Sequence, residues 1–354
     1  MAPLEATLEI QPRARVDIRD TRALAASIHG DAFEGYKRCL YVSPHTTAGY
    51  FRQSLAARLT ENRGGLEPYL EVFQTVFPEG AGYQHDNLEL RTELPPEQRR
   101  IEPTNGDSHL AFMAAGLDVC VSYRMDRPGP VYFVDLDGMN GVKPRQRVTR
   151  LVGYNHEEEV ARMTLHVPVS SHPIEAVNLR DPKLGLGDQL KELIREHGVT
   201  KGRVRLELAR AERDASLTIN EYETLLMQHD LQEVLRNPLK FAAQKARHAW
   251  SDPRAVPGKA MDYAKYDLVL AVNRLMDALG LSSSRLEFLL ARALQFPASR
   301  LLRLKRSVNL LVSDASHPGE GALVEGAFQA PIMVQWSPAS AGQREVEVIL
   351  NRFL

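Results

Sequence analysis

One order of elements, a strand, a helix and a second strand, occurs twice along this sequence, and that repetition restricts the fold more than any other feature. From Thr7 to Ile18 and from Tyr36 to Ser43, β-branched and aromatic residues alternate with polar ones. A period of two buries one face of a strand, and the segment Thr21 to His29 between them has helical character. After the polar run Asn155-His-Glu-Glu-Glu159 the order returns, with a strand over Met163 to Val169 and a helix over Gly187 to His197. Arg203 to Leu208 closes the second set, alternating Val204, Leu206 and Leu208 with Arg203, Arg205 and Glu207.

Each set is followed by helices and then by further strands. In the first half, Leu66 to Phe77 is apolar at helical spacing, and Ser108 to Ala115 reads as a short helix closed by Gly116. Strands follow at Val119 to Tyr123, Val131 to Leu136 and Gln146 to Val152; the turn dipeptides Asp137-Gly138 and Asn140-Gly141 predict that the last two pair as an antiparallel hairpin. In the second half, Tyr222 to Trp250 turns helical, Asp252 to Gly258 breaks it, and helices are expected over Tyr266 to Leu279 and Ser284 to Leu294. Val308 to Ser313, Ile332 to Trp336 and Val346 to Leu350 complete the strands.

Residue identities support a repeat. Pro44-His-Thr-Thr-Ala-Gly-Tyr50 follows a strand as Ala211-Glu-Arg-Asp-Ala-Ser-Leu217 does, and Ser108-His-Leu-Ala-Phe112 opens a helix as Ser284-Arg-Leu-Glu-Phe288 does. The offset lengthens between these matches, which implies an insertion in the second copy. The expected organisation is an α+β chain of two repeats, residues 1–158 and 159–354, with a helical insertion about 236–266. A chain of 354 residues has the length of about two domains.

Charge and composition exclude several classes. With 44 Lys+Arg against 45 Asp+Glu, the chain lacks the basic excess that gives nucleic-acid binders their affinity, so no nucleic acid is expected as a partner. No apolar run reaches the roughly 18 residues of a bilayer span, and Met-Ala-Pro-Leu-Glu-Ala-Thr lacks the regions of a signal peptide. A cytoplasmic protein with no membrane partner is expected. Cys39 and Cys120, each inside a strand and without CxxC spacing, read as buried thiols.

Three histidines of the first half, His45, His85 and His109, are the candidate ligands. Neutral imidazoles brought together from several elements can hold a divalent ion with an open position, but their spacing forms no local metal motif. Asn105-Gly-Asp-Ser108 precedes a helix; Asp107 or Ser108 can cap it, and its backbone N–H groups offer a place for a phosphate. Arg145 and Arg147 could bind phosphate, although alternating arginines on a strand read as a solvated face. The second half has Glu212 where the first has His45 and Arg285 where it has His109; it carries instead Asn220-Glu221 and Gly326-Ala-Phe-Gln329. Gln53-Ser54 occupies the positions of Asn220-Glu221.

These residues resemble the YjbQ family, often called secondary thiamine-phosphate synthases, whose pattern runs His-Thr-Ser/Thr-Ala, Asn-Glu, Tyr-x-His, a Ser/Ala-His opening a helix, and Gly-x-Trp-Gln. His45-Thr46-Thr47-Ala48, Tyr83-Gln84-His85 and Ser108-His109 carry it in the first half, and Asn220-Glu221 and Gly326-Ala-Phe-Gln329, with Phe328 for Trp, in the second. The resemblance implies a two-sheet β sandwich with flanking helices, formed twice, and a homo-oligomer, with a trimer favoured. It implies transfer of a pyrimidine diphosphate to a thiazole phosphate with release of pyrophosphate. On that reading one composite site takes His45, Thr46, Thr47, His85, His109 and Glu221 for catalysis. Asn105, Gly106, Ser108, Asn220 and Gln329 contact the phosphorylated small molecule, and His45, His85 and His109 hold a divalent metal, zinc or magnesium. The alternatives are a non-catalytic binding or scaffold protein and a metal-dependent hydrolase of a phosphorylated small molecule.

Overall fold

The computed structural model describes residues 1–61, 65–91, 94–236, 241 and 305–354. The expected break at Asp252 to Gly258, the helices over Tyr266 to Leu279 and Ser284 to Leu294, the Ser284 to Phe288 match and most of the 236–266 insertion lie outside the described residues. The chain forms two compact units. One, the sheet unit, comprises Met1–Gln53, Leu117–Tyr222 and Leu304–Leu354, and the other, the helical unit, Ser54–Gly116 and Glu223–Arg303. Each unit therefore draws on both halves of the sequence.

The first half runs β1 (Leu4–Ile10), β2 (Asp17–Asp20), α1 (Thr21–His29), β3 (Arg38–Val42), β4 (Ala48–Tyr50), α2 (Gln53–Glu61), α3 (Leu66–Val76), α4 (Gly106–Ala115), β5 (Cys120–Arg124), β6 (Tyr132–Asp135) and β7 (Arg147–Tyr154). Asp20 starts α1 where the periodicity places it, its carboxylate accepting the N–H groups of Arg22 and Ala23. The second half runs β8 (Glu157–Pro168), β9 (Glu175–Asn178), α5 (Leu186–Glu196), β10 (Gly202–Leu208), β11 (Ala215–Glu221), α6 (Leu231–Arg236), β12 (Ser307–Ser313), β13 (Ala322–Val324), β14 (Gln329–Gln335) and β15 (Gln343–Phe353). Leu186, Leu190 and Ile194, four residues apart, form the buried stripe of α5.

In the sheet unit the strand orders repeat. One sheet of the first half is ordered β1-β7-β3-β5 and the other β2-β6-β4; the second half gives β8-β15-β10-β12-β13 and β9-β14-β11, every pair antiparallel. Only the edge strand β13 is added. In the first half the two sheets share a core: the Tyr41 and Tyr50 rings lie 5.6 Å apart, and Tyr50 and Phe133 meet edge-on at 5.4 Å. The α+β class with paired antiparallel sheets and helices is thus observed. Among the described residues, no helix is long and apolar enough to cross a membrane.

Two expectations are corrected. β6 and β7 do not form a hairpin, because β6 pairs with β2 and β4 while β7 pairs with β1 and β3. The turn dipeptides build only a small local ladder, Met139–Asn140 against Lys143–Pro144. The alternation from Thr7 to Ile18 likewise spans two strands, β1 and β2, which belong to different sheets.

The halves are joined inside the sheet unit by partly buried charge. Glu5 accepts from Lys201 Nζ at 2.8 Å, from Ser313 Oγ at 2.6 Å and from Arg150 Nη1 at 3.2 Å, while Lys201 also reaches Asp314 at 2.7 Å. Burial raises the pKa of Glu5, but the hydrogen bonds from Lys201 and Ser313 and the charge of Lys201 outweigh it, leaving the group below its ordinary 4.5. A carboxylate with a depressed folded pKa contributes its stability above the unfolded value and loses it as pH falls through the folded one. Urea unfolding across a pH series should therefore show stability falling below about pH 4.5 in the wild type, and less steeply in Glu5→Gln. An unchanged slope in the variant would remove Glu5 as the cause.

Candidate functional site

The expected site residues divide between the two units. In the sheet unit, the chain leaves β3 at Ser43, and the loop Pro44 to Thr47 is held from both halves. Gln329 donates from Nε2 to Ser43 O and His45 O, each at 2.8 Å, and its Oε1 accepts the Gly326 N–H at 3.0 Å. Because β11 pairs with β14, Glu221 stands opposite Gln329 and Asn220 opposite Ala330. Asn220 is buried and its Oδ1 accepts the Glu221 N–H at 2.7 Å. The structure thus brings the His45 loop of one half and Asn220, Glu221 and Gln329 of the other into one unit. Phe328, the residue before this glutamine, is 57% exposed.

His45 is pinned by strand geometry. Its Nε2 accepts the Val148 N–H at 3.0 Å, standing in for the ladder acceptor that β3 no longer supplies to β7. Glu212 does the same work in the second half, its Oε1 accepting the Glu345 N–H at 2.8 Å. Burial lowers the His45 pKa most, the charge of Arg147 and then Arg145 lower it further, and the Val148 hydrogen bond only partly offsets them, so it falls to about 3. The ring is neutral near pH 7, and with Nε2 engaged only Nδ1 remains for any other role. Thr47 is buried beside it, with its hydroxyl 3.5 Å from Arg147 Nη2 and its carbonyl accepting the Leu136 N–H. Thr46 is half-buried in the same loop.

Arg147 is no solvated strand residue. It is buried and makes a two-pronged pair with Asp135, Nε to Oδ2 at 2.7 Å and Nη2 to Oδ1 at 2.9 Å, while Nη2 also donates to Asp137 O at 2.6 Å. The sequence gives no local signal of this, because the partner comes from a neighbouring sheet. Cys39 and Cys120 are both buried, and burial pushes their thiols up to about 12.

In the helical unit, His85 and His109 are both 1% exposed, their ring centroids lie 5.1 Å apart, and one nitrogen of each falls within 4.8 Å of the other. His85 sits in a turn after Tyr83 held by Asp230, whose two oxygens accept the Gln84 N–H at 3.0 Å and the His85 N–H at 2.9 Å. Its Nδ1 lies 3.0 Å from Asp86 Oδ1, and its Nε2 is 3.5 Å from Arg91 Nη1. Asp86 also accepts the Gly106 N–H at 2.9 Å, so the carboxylate beside His85 caps the helix that carries His109. This corrects the capping expectation: neither Asp107 nor Ser108 is the N-cap residue, which is Asn105, and Asn105 makes no side-chain cap bond. The Ser108 N–H goes to Asn105 O at 3.0 Å. A Cβ on Gly106 would lie 2.9 Å from Tyr83 Cβ and 3.2 Å from His85 Cβ, so glycine is what permits this approach.

Asp86, Arg91 and Asp230 are site residues that the sequence did not single out. Asp86 had one available signal, its adjacency to the Tyr-x-His stretch. Asp230 had none, because it closes a π-helical turn, Leu226–Asp230, inside a segment that reads as plain helix.

No family model matches the sequence, and no curated protein matches it. Solved structures similar to this chain include a YbjQ-like protein of unknown function from Sulfolobus solfataricus P2, at 17% identity and a TM-score of 0.29, covering 56% of this chain and 99% of that one. A hypothetical protein from Aeropyrum pernix K1 is 12% identical with a TM-score of 0.29, covering 54% of this chain and 98% of its own. An uncharacterized conserved protein of the YjbQ family from Clostridium acetobutylicum is 13% identical with a TM-score of 0.25, covering 54% and 99%.

Proposed function

We propose that this chain is a metal-dependent protein acting on a phosphorylated small molecule, with His85 and His109 as metal ligands, and that its halves are tandem copies of one α+β unit. The observation that carries the reading is the buried His85–His109 pair with Asp86 behind it. A carboxylate at Nδ1 fixes the tautomer that leaves Nε2 with its lone pair, the arrangement by which outer groups orient metal-binding histidines. Two imidazoles suit zinc better than magnesium, which takes oxygen ligands. A bound divalent ion would supply charge neutralisation for a departing phosphate or diphosphate.

Within this reading Asn105 and Ser108 of the helical unit contact the substrate, and in the sheet unit Gln329 positions the His45 loop. The reaction proposed is the family-like one, transfer of a pyrimidine diphosphate to a thiazole phosphate with loss of pyrophosphate, in a homo-oligomer, with a trimer favoured. Hydrolysis of one phosphorylated substrate is the neighbouring chemistry, and product analysis with a single substrate separates the two. One observation favours a second, non-catalytic reading: the Arg91 guanidinium lies 3.5 Å from His85 Nε2, and a fixed cation there opposes a metal ion.

Elemental analysis of protein purified without chelator or nickel affinity tag tests the proposal. Stoichiometric metal in the wild type, lost in His85→Ala and in His109→Ala while circular dichroism is unchanged, is the expected result. Metal-free wild type, or metal retained in both histidine variants, would leave the non-catalytic reading in place.

A further inference from the structure

The two halves of the sheet unit solve one problem at a buried arginine in different ways. Arg147 and Arg344 hold matching places in the register, opposite Ile10 in β1 and opposite Val167 in β8. Asp135 and Gln335 likewise match, opposite Ala48 and Ala215. In the second half every nitrogen of Arg344 has a partner: Nε donates to Gln335 Oε1 at 2.9 Å, Nη1 to Glu212 Oε2 and to Arg213 O, each at 2.7 Å, and Nη2 to Ser337 O at 2.6 Å. The Glu212 carboxylate thus places an anionic oxygen on Nη1.

The first half has a neutral imidazole, His45, at the place of Glu212. Arg147 keeps its bonds from Nε and Nη2, but among the described residues Nη1 has no hydrogen-bond partner. A second arginine, Arg145, also bears its charge on His45. Arg145 Nε and Nη2 are buried without a hydrogen-bond partner; Nη2 lies 2.9 Å from Asp137 Oδ2 but off the angle of a hydrogen bond. His45 adds a third donor, since Nε2 accepts the Val148 N–H and the neutral ring must carry its proton on Nδ1. In the second half this corner, lined by Glu212, Arg213, Asp214 and Arg344, opens as a cavity of about 430 Å³.

We propose that Arg147 Nη1, Arg145 Nε and His45 Nδ1–H form a binding site for an oxyanion, a carboxylate or phosphate oxygen taking the place that Glu212 Oε2 fills in the second half. The site lies in the sheet unit and does not depend on the histidine pair of the helical unit. Guanidinium donors suit such a ligand because their fixed fork matches its oxygens. His45 here donates a hydrogen bond and neither binds metal nor takes a proton.

The test is calorimetric titration of the full chain with inorganic phosphate and, separately, with acetate, which tells the phosphate source from the carboxylate source. Binding of either should be lost in His45→Glu, because that carboxylate fills the site as Glu212 does, and weakened at least tenfold in Arg145→Gln. The loss in His45→Glu should be the same with chelator present, so that failure of the metal reading leaves this result untouched. A ¹⁵N spectrum of the wild type should show His45 protonated at Nδ1 near pH 7. Undiminished binding in both His45→Glu and Arg145→Gln, or no binding of either probe to the wild type, would overturn the proposal. Should His45→Glu unfold, Arg145→Gln and the spectrum decide it.

Discussion

Replacing Arg147 by methionine should cost the protein about 3 to 5 kcal/mol, because it strands the Asp135 carboxylate, 1% exposed, without its cation. Asp135→Gln should also destabilise, since it leaves the guanidinium uncompensated in the same interior. The second half shows how that loss can be reversed. There the partner at the Asp135 position is the neutral Gln335, and the anionic one is Glu212, at the place of His45. Each arginine has one carboxylate, on opposite sides in the two halves. Asp135→Gln combined with His45→Glu should therefore recover much of what Asp135→Gln loses, a coupling read from urea unfolding of the four proteins of the cycle. If His45→Glu deepens the loss instead, the two halves are not equivalent at this position.

Gly326→Ala should be as severe for a different reason. A Cβ there would lie 1.8 Å from Pro44 O and 2.7 Å from Pro44 C, so two backbone segments from different halves would have to part. Such overpacking costs about 1 to 3 kcal/mol, and the upper end is expected here because no side chain can yield. The displaced turn also carries Gln329, whose amide holds Ser43 O and His45 O, so the His45 loop should loosen with it. Gly187→Ala is the control: nothing lies within 4 Å of a Cβ at that position of α5, and alanine is the better helix former. Thermal unfolding should show a large fall in Tm for the first and none for the second. Equal Tm values for Gly326→Ala and wild type would mean that the two loops do not touch as closely as described.

The sequence by itself determined the elements and their doubled order. Alternation at period two and apolar spacing at helical period are local properties, because they record which face of a segment is buried, and so α1 fell over Thr21–His29 as expected. The alignment of His45 with Glu212 was also legible, from their matching place after a strand and from Ala48 and Ala215 three residues on. Tertiary structure alone decided which strands pair. A strand's partner depends on register with distant residues, and for that reason β6 and β7 went to different sheets although turn residues lie between them.

The site divides in the same way. Histidines capable of binding something could be read from residue type. That His85 and His109 meet while His45 belongs to the other unit could not, since contacts between segments far apart in sequence leave no local pattern. Nor could the neutral state of His45, which is set first by burial and then by two arginines that the sequence presented as a solvated face, nor the engagement of its Nε2 by the N–H of Val148, 103 residues away. Local sequence fixes which groups are present and which way their backbone runs; their partners, and so their charge and their chemistry, are set by the tertiary fold that surrounds them.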